Sequence, residues 1–354
     1  MDSITHIAIG SCIGEIMLGK QLGRKGLLWG LVAASLPDID AVAGLFLALP
    51  EELIAHRGIT HSVLIAVLVP LLPAFICSKL YQRHKIAYAY YYGFFFIQIA
   101  LHILLDSCNA YGTGLLEPFS NQRFSLNLLY VADPLFSIWP FIATLVIFGY
   151  RANPLRQKRI AGISLLFSFF YLCLSIHNKI VTGKHFEHSL SRLGVRPSGY
   201  FITPTPFNNL LWYSVANVDT GYYIGHLSVF DDRNKTVSFN YFSKNEQQLD
   251  SVENKDEVAL LKQFANKYYT VERWNDTLVF NVLRFGQMIG WQQPKAHFAF
   301  HYFLNPTYNN DLVVQRGRFE GWNQQTLSYM YRRIKGSVEE KVEENNEKKV
   351  EDKN

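Results

Sequence analysis

Histidine and aspartate residues recur in separate stretches of the first 150 residues, at spacings that suit metal binding. His102 and Asp106 are four residues apart in an apolar stretch, so on a helix both side chains project from one face. Asp38 and Asp40 lie in a break between apolar runs, and His61 follows a glycine-containing turn. Mixed imidazole and carboxylate ligands suit zinc, and also manganese or iron. The candidate ligands are His6, Asp38, His56, His61, His102, Asp106 and Asp133.

This number of candidate ligands would allow one ion or two. A two-metal site activates a water and holds both the attacking and the leaving oxygen of a displacement, and phosphoester hydrolysis is its usual use. Arg57 is a candidate catalytic residue that could bind a phosphate oxygen, with a plain headgroup-region arginine as an equal alternative. Asp40 is the second catalytic candidate, as a proton acceptor, and His56, Asp133 or Glu15 could take that role instead.

The composition of the 354-residue chain changes near His177. Residues 1–176 hold 12 of the 34 Lys and Arg residues and 9 of the 29 Asp and Glu residues. The net charge of +5 is ordinary and does not indicate a nucleic-acid partner. The four cysteines show no paired spacing, which excludes a closed Cys-type zinc site. We predict a helical membrane domain over 1–176, a small α+β soluble domain over 177–335 and a charged, disordered tail over 336–354.

Apolar runs in the first half predict a polytopic α-helical domain of about five to six segments. The runs are 4–19, 26–36, 62–78, 86–105, 134–150 and 160–176. Alternate loops are basic, and by the positive-inside rule they face the cytoplasm. Their basic residues are Lys20, Arg24 and Lys25, then Lys79, Arg83 and Lys85, then Arg151, Arg156, Lys158 and Arg159. The candidate ligands and the C-terminal domain then lie on the extracytoplasmic side of a bacterial inner membrane.

The second apolar run is too short to reach the membrane surface. As a helix, residues 26–36 would cover about 17 Å of a hydrocarbon core that is about 30 Å thick. Asp38 would then lie below the surface, in a cavity enclosed by protein or filled with water. A site at that depth suits a lipid headgroup or another substrate delivered by the bilayer.

The second half carries no catalytic motif, and its pattern predicts mainly strands. A lid or a substrate-selecting surface over the membrane site is the favoured role for this domain. A helix is predicted over 255–268. The predicted strands are 211–215, 222–230, 237–242, 278–285 and 296–304.

The first 150 residues resemble the YdjM-like family of membrane-bound, predicted metal-dependent hydrolases. The matching pieces, in order, are Thr5-His6-x-x-x-Gly10, Pro37-Asp38-x-Asp40, His56-Arg57-Gly58-x-Thr60-His61-Ser62, His102-x-x-x-Asp106 and Asp133-Pro134. The chain is similar to the longer members, which carry an additional C-terminal domain. The resemblance implies a hydrolase with His6, Asp38, His61, His102 and Asp106 as ligands.

Two other functions remain open at this stage. An envelope interaction protein would bind a partner through its soluble half and keep the metal for structure only. A metal transporter would carry charges at mid-depth along the bundle, whereas the candidate ligands collect at one face.

Overall fold

The N-terminal half of the chain is helical, and the sheets lie in the C-terminal half together with a few short helices. The computed structural model describes residues 1–150, 153–304 and 321–336. In these ranges the α-helices are α1 Ser3–Leu22, α2 Arg24–Ser35, α3 Leu49–Ala55, α4 Val63–Leu68, α5 Leu71–Leu80, α6 Tyr88–Ser107, α7 Pro134–Gly149, α8 Pro154–Arg192 and α9 Lys255–Ala265, with a last helix at Gln324–Ile334. Short 3-10 helices are Pro37–Leu45, Ile59–His61, Gln82–His84 and Glu246–Ser251. The strands are β1 Gly199–Pro204, β2 Leu211–Val218, β3 Gly221–Ser228, β4 Asn240–Ser243, β5 Tyr269–Trp274, β6 Thr277–Gln287 and β7 Phe298–Phe303.

Helix α1 is the central helix of the bundle and contacts α2, α6, α7 and α8. It begins at Asp2, whose side chain accepts a hydrogen bond from the Thr5 backbone N–H, and it ends at Gly23 in a positive-φ conformation. Most of its residues are buried, including His6 and Glu15. Because protein rather than lipid surrounds it, α1 can carry polar side chains.

The predicted number of membrane segments is too high. Three helical stretches of the described residues are long and apolar enough to cross a membrane, namely Val63–Leu80, α6 and α8. Helix α2 with the 3-10 helix Pro37–Leu45 makes a fourth, bent by 55°. The 16 residues of α7 cover only about 24 Å, and α1 lacks the apolar surface that a lipid-facing helix needs.

The predicted basic loops meet at one end of the bundle. The Arg24 guanidinium, in the α1–α2 turn, donates a 2.8 Å hydrogen bond to the Phe148 carbonyl at the end of α7. The Lys25 ammonium lies 5.6 Å from the ring centroid of Tyr81, at the end of α5. His6 is near the start of α1 and His102 near the end of α6, so both lie at the other end. Arg151 lies outside the described residues.

Helix α8 links the two halves. It has 39 residues and is therefore about 58 Å long, and residue 177, the predicted domain boundary, falls inside it. Phe186 and Leu190 in its C-terminal part pack against Trp212 and Leu227 of the sheet. The proposed domain limits stay a prediction, and of the tail 336–354 only Gly336 is among the described residues.

The C-terminal half contains two antiparallel sheets, with strand orders β1-β2-β3-β4 and β5-β6-β7. The predicted strands 211–215, 222–230, 278–285 and 296–304 correspond to β2, β3, β6 and β7. The strand predicted over 237–242 begins only at Asn240, and β1 and β5 were not predicted. The predicted helix 255–268 stops at Ala265, because Asn266 adopts a left-handed conformation at its end.

Candidate metal centre

Four of the predicted ligands converge at the end of the bundle opposite the basic loops. Asp38, His61, His102 and Asp106 each offer one ligand atom, and these atoms lie within 4.8 Å of one another. They come from the 3-10 helix after α2, from the turn before α4 and from the last turns of α6. His61, His102 and Asp106 are buried, while the side chain of Asp38 is 23% exposed. Asp38 therefore forms the open side of the group.

The distances within the group are short and similar. His61 Nε2 lies 3.2 Å from His102 Nε2, 3.2 Å from Asp106 Oδ2 and 3.7 Å from Asp38 Oδ1. His102 Nε2 lies 3.4 Å from Asp38 Oδ1 and 3.5 Å from Asp106 Oδ2. Four donors on a tetrahedron with metal–ligand distances of about 2.1 Å are about 3.4 Å apart. The five distances fall around that value.

Hydrogen bonds fix which nitrogen of each imidazole carries the proton. His102 Nδ1 is 2.6 Å from the Ala34 carbonyl, and because a carbonyl only accepts, Nδ1–H is the donor. The Thr60 hydroxyl donates to Asp40 Oδ2 at 3.0 Å, so its oxygen accepts from His61 Nδ1 at 2.9 Å. When the imidazoles are neutral, the Nε2 lone pair of each therefore points into the group. Metal-bound histidines are oriented by such bonds.

With neutral imidazoles the group contains acceptors without donors. The Nε2 lone pairs of the two imidazoles and the carboxylates of Asp38 and Asp106 then face one another, and none of them can donate a hydrogen to another. Asp106 Oδ2 is buried and accepts no hydrogen bond, although the Arg57 guanidinium lies at ion-pair distance from it. Acceptors that face one another in this way are costly, and a divalent cation would satisfy all four. The donor set fits zinc, manganese or iron.

Asp106 also forms an ion pair with Arg57. Arg57 Nε lies 3.2 Å from Asp106 Oδ2, while its other nitrogens donate to Asn109 Oδ1 at 2.9 Å and to the Met1 carbonyl at 3.2 Å. Burial lowers the pKa of Arg57 to about 10, so the guanidinium keeps its charge at neutral pH. Its φ is 59°, a strained backbone conformation for a residue with a side chain. The structure thus surrounds Arg57 with protein groups; a direct bond from it to a phosphate stays a prediction.

His6 lies beside the group rather than in it. Its Nε2 is 3.1 Å from Asp106 Oδ1, the oxygen that also pairs with the Met1 amino group. Its ring stacks on that of His102, with 3.7 Å between the centroids. Asp106 therefore has one oxygen in the group and one against His6. Whether one ion or two would bind stays a prediction.

Asp40 lies at the Nδ1 side of the His61 imidazole, away from the four ligand atoms, and His56 lies next to Asp40. Asp40 Oδ2 accepts hydrogen bonds from the Arg57 backbone N–H at 2.8 Å and from the Thr60 hydroxyl, and it lies 3.3 Å from His61 Nδ1. Its Oδ1 is 3.4 Å from His56 Nδ1. The His56 side chain is 31% exposed. Asp40 thus orients both imidazoles, and the His56 imidazole remains partly exposed to solvent.

The structure does not bring Asp133 into the group. Its side chain accepts a hydrogen bond from the Leu135 N–H at 3.0 Å, which caps the start of α7, and another from the Tyr171 hydroxyl at 2.8 Å. A capping carboxylate with two donors already has partners. Within the described residues, these contacts tie Asp133 to α7 and α8 and not to the four-residue group.

The helical half of the chain matches a known family. The sequence model of the family described as YdjM inner membrane protein matches residues 1–180. The chain belongs to this family. The match includes every residue of the candidate centre and, with the apolar helices, supports a location in the inner membrane.

Two curated relatives of this YdjM-family chain are similar over part of their lengths. Inner membrane protein YbcI of Escherichia coli (strain K12) is 35% identical over 123 residues, which are 34% of this chain and 69% of that protein. Uncharacterized protein YfhP of Bacillus subtilis (strain 168) is 27% identical over 144 residues, which are 38% of this chain and 42% of that protein. No solved structure matches the chain.

The sheet domain, most of which lies beyond the family match, contacts the centre through Tyr111. The Tyr111 ring lies 4.8 Å from the Arg57 guanidinium and packs edge-on against Phe264 and Phe285. Arg284 of β6 is buried and donates to the Tyr111 carbonyl at 3.3 Å. Tyr111 and Asn109 were not among the residues predicted from the sequence. The polar Asn109-Ala-Tyr111 sequence directly after an apolar helix was the available signal.

Proposed function

We propose that this YdjM-family protein is an inner-membrane, metal-dependent hydrolase of a phosphoester or lipid-linked substrate. The observation that carries the proposal is the set of four convergent ligand atoms, which contains no hydrogen-bond donor when both imidazoles are neutral. Asp38, His61, His102 and Asp106 would hold a divalent ion, most readily zinc, with manganese or iron as alternatives. A bound ion of this kind lowers the pKa of a water and polarises a phosphoryl oxygen.

The surrounding residues have separate roles in this proposal. Asp40 and Thr60 hold His61, and the Ala34 carbonyl holds His102, so both imidazoles keep one tautomer. Arg57 holds Asp106 and balances its charge. His56 is oriented by Asp40 and is partly exposed, so its imidazole can exchange a proton with water or substrate. Asp38 marks the side from which substrate would enter.

Turnover of a generic phosphodiester tests the proposal. Full-length protein in detergent should hydrolyse bis-(p-nitrophenyl) phosphate, lose activity with a chelator and regain it with zinc. His102→Ala should lower the rate by more than about 100-fold, because losing a ligand exceeds the 10–100-fold effect of an outer partner. His84→Ala, an exposed histidine at the basic end, is the matched control and should act like wild type. Metal retention without any turnover would instead favour the envelope interaction protein with a structural metal.

We also propose that the centre and the sheet domain face the extracytoplasmic side. The basic turns gathered at the other end support this, because basic loops stay in the cytoplasm. Introduced cysteines can test it in a Cys173→Ser background, since the other three cysteines are buried. A membrane-impermeant maleimide on spheroplasts should label Phe230→Cys and spare Arg83→Cys. Labelling of both positions, or of Arg83→Cys alone, would contradict this orientation.

A further inference from the structure

Strongly exposed apolar side chains follow Asp38, the partly exposed residue of the candidate centre, along the chain. Asp38 is the second residue of the 3-10 helix Pro37–Leu45, and the apolar residues after it turn outward. Phe46 is 83% exposed, and no large hydrophobic residue in the described ranges is more exposed. The outward-facing residues of this segment are Ile39, Val42, Leu45, Phe46 and Leu47.

A second exposed phenylalanine belongs to the loop that flanks the centre. Phe119 is also 83% exposed. Its loop is attached to the Arg57 turn, because the Gly114 N–H donates to the Arg57 carbonyl at 2.8 Å. A Cβ at Gly58 would lie 2.8 Å from Glu117 Oε2, which shows how closely the two loops approach. The Arg57 N–H donates in turn to Asp40 Oδ2, so the segment after α2 and the Phe119 loop are both attached to the Arg57 turn beside the centre.

We call the exposed apolar residues 39–47, together with Phe119, the apolar rim. Exposed apolar residues of the neighbouring helices lie next to the rim in the chain. Val32 of α2 is exposed shortly before Ile39, and Ile59 and Val63 are exposed at the start of the Val63–Leu80 span. Exposed apolar residues therefore occur both on these spans and on the rim residues next to them in the chain. Apolar surface that adjoins membrane spans in this way fits the acyl region of a bilayer.

From this arrangement we infer that residues 39–47 and Phe119 insert into the leaflet at the entrance, and that the substrate is a phosphoester-bearing bilayer lipid that reaches Asp38 sideways from that leaflet. This inference rests on the proposed function for its chemistry. A lipid phosphate at headgroup depth would meet the partly exposed Asp38 and His56 first, while its acyl chains remained among the apolar side chains of the rim.

Paired substrates test the lipid route. Phe46→Ser and Phe119→Ser should each slow hydrolysis of phospholipid in anionic vesicles by about tenfold, because each loses apolar burial in the leaflet. A short-chain, water-soluble phosphodiester should be hydrolysed within about twofold of wild type, because the centre is unchanged. Phe230→Ser, which alters a 61% exposed phenylalanine of the sheet domain, is the matched control and should change neither rate. Equal losses on both substrates, unchanged lipid turnover, or turnover of the soluble ester alone would overturn the inference.

A binding measurement separates this inference from the proposed chemistry. Phe46→Cys and Phe119→Cys, in the Cys173→Ser background, can carry an environment-sensitive fluorophore in reconstituted vesicles. Brominated lipids should quench both labels strongly and quench a label on Phe230→Cys weakly. Quenching without any hydrolysis would mean that the proposed function fails while the rim still inserts. Labels at 46 and 119 quenched no more than the control would end the insertion claim even if the protein is an active hydrolase.

Discussion

The paired substitution His61→Ala, Asp106→Ala should remove bound metal from the purified protein. Two of the four converging acceptors disappear, and the remaining pair, Asp38 and His102, offers only two of the four ligands that a zinc site uses. Affinity should therefore fall by far more than the 10–100-fold that follows loss of one outer partner. Elemental analysis of detergent-purified protein, after dialysis against metal-free buffer, measures the metal-to-protein ratio.

Controls for this experiment separate ligand loss from misfolding. Removing Asp106 also leaves the buried Arg57 cation without its carboxylate, which costs about 3–5 kcal/mol. Asp38→Asn avoids that problem, because Asp38 is partly exposed and Arg57 does not bind it. It should lose metal while keeping the wild-type circular dichroism spectrum. Asp133→Asn, outside the group, should keep metal, and wild-type metal content in the double variant would show that the four residues are not the ligands.

Part of the centre follows from sequence spacing and part requires the tertiary fold. The i, i+4 pair His102 and Asp106 needs only helical geometry, so the sequence predicts that both share one face. The distance of His61 from His102 depends on how α4 packs against α6, which no local pattern records. The same holds for the Ala34 carbonyl, because a backbone acceptor has no signature in the sequence.

Asp133 illustrates a pattern with two physical meanings. An aspartate directly before a proline suits a metal ligand in an ordered motif, but it also suits a helix start, where aspartate caps and proline occupies the first position. The structure has the second arrangement, with Asp133 before Pro134 of α7. The apolar run that follows already indicated a helix beginning there. Sequence order alone therefore did not distinguish ligand from cap.

The count of membrane segments was wrong because an apolar run in the sequence can be either a span or a helix enclosed by protein. Hydropathy measures what a helix can expose to lipid, whereas α1 is enclosed by other helices and exposes little. Its glutamate, serines and glycines were signs of a central helix rather than of a weak span.

In the sheet domain, Asn266 and Lys267 both adopt positive φ, and this turn separates α9 from β5. Neither residue is glycine, so this helix end has no strong stop signal in the sequence.

Gly14→Ala should disrupt the helix pair that carries His6 and Asp38 into position. Helices α1 and α2 approach closely through Gly10, Gly14, Gly26 and Gly30. A Cβ at Gly14 would lie 2.8 Å from Gly30 Cα and 3.0 Å from Gly30 N, and closer still to the Gly26 carbonyl. Backbone atoms cannot move aside as a flexible side chain can, so α2 must shift. Overpacking of this kind costs about 1–3 kcal/mol, which should appear as a lower midpoint of thermal unfolding in detergent.

The same chemical change elsewhere in the bundle gives the opposite expectation. At Gly162 of α8 an added Cβ meets nothing within 4 Å, and a helix gains about 0.5–1 kcal/mol when glycine becomes alanine. Gly162→Ala should therefore leave the midpoint unchanged or raise it. Because the shift of α2 moves the Ala34 carbonyl that holds His102, Gly14→Ala should also lower metal content, whereas Gly162→Ala should not. Equal stability and equal metal content in the two variants would mean that the close approach of α1 and α2 does not position the centre.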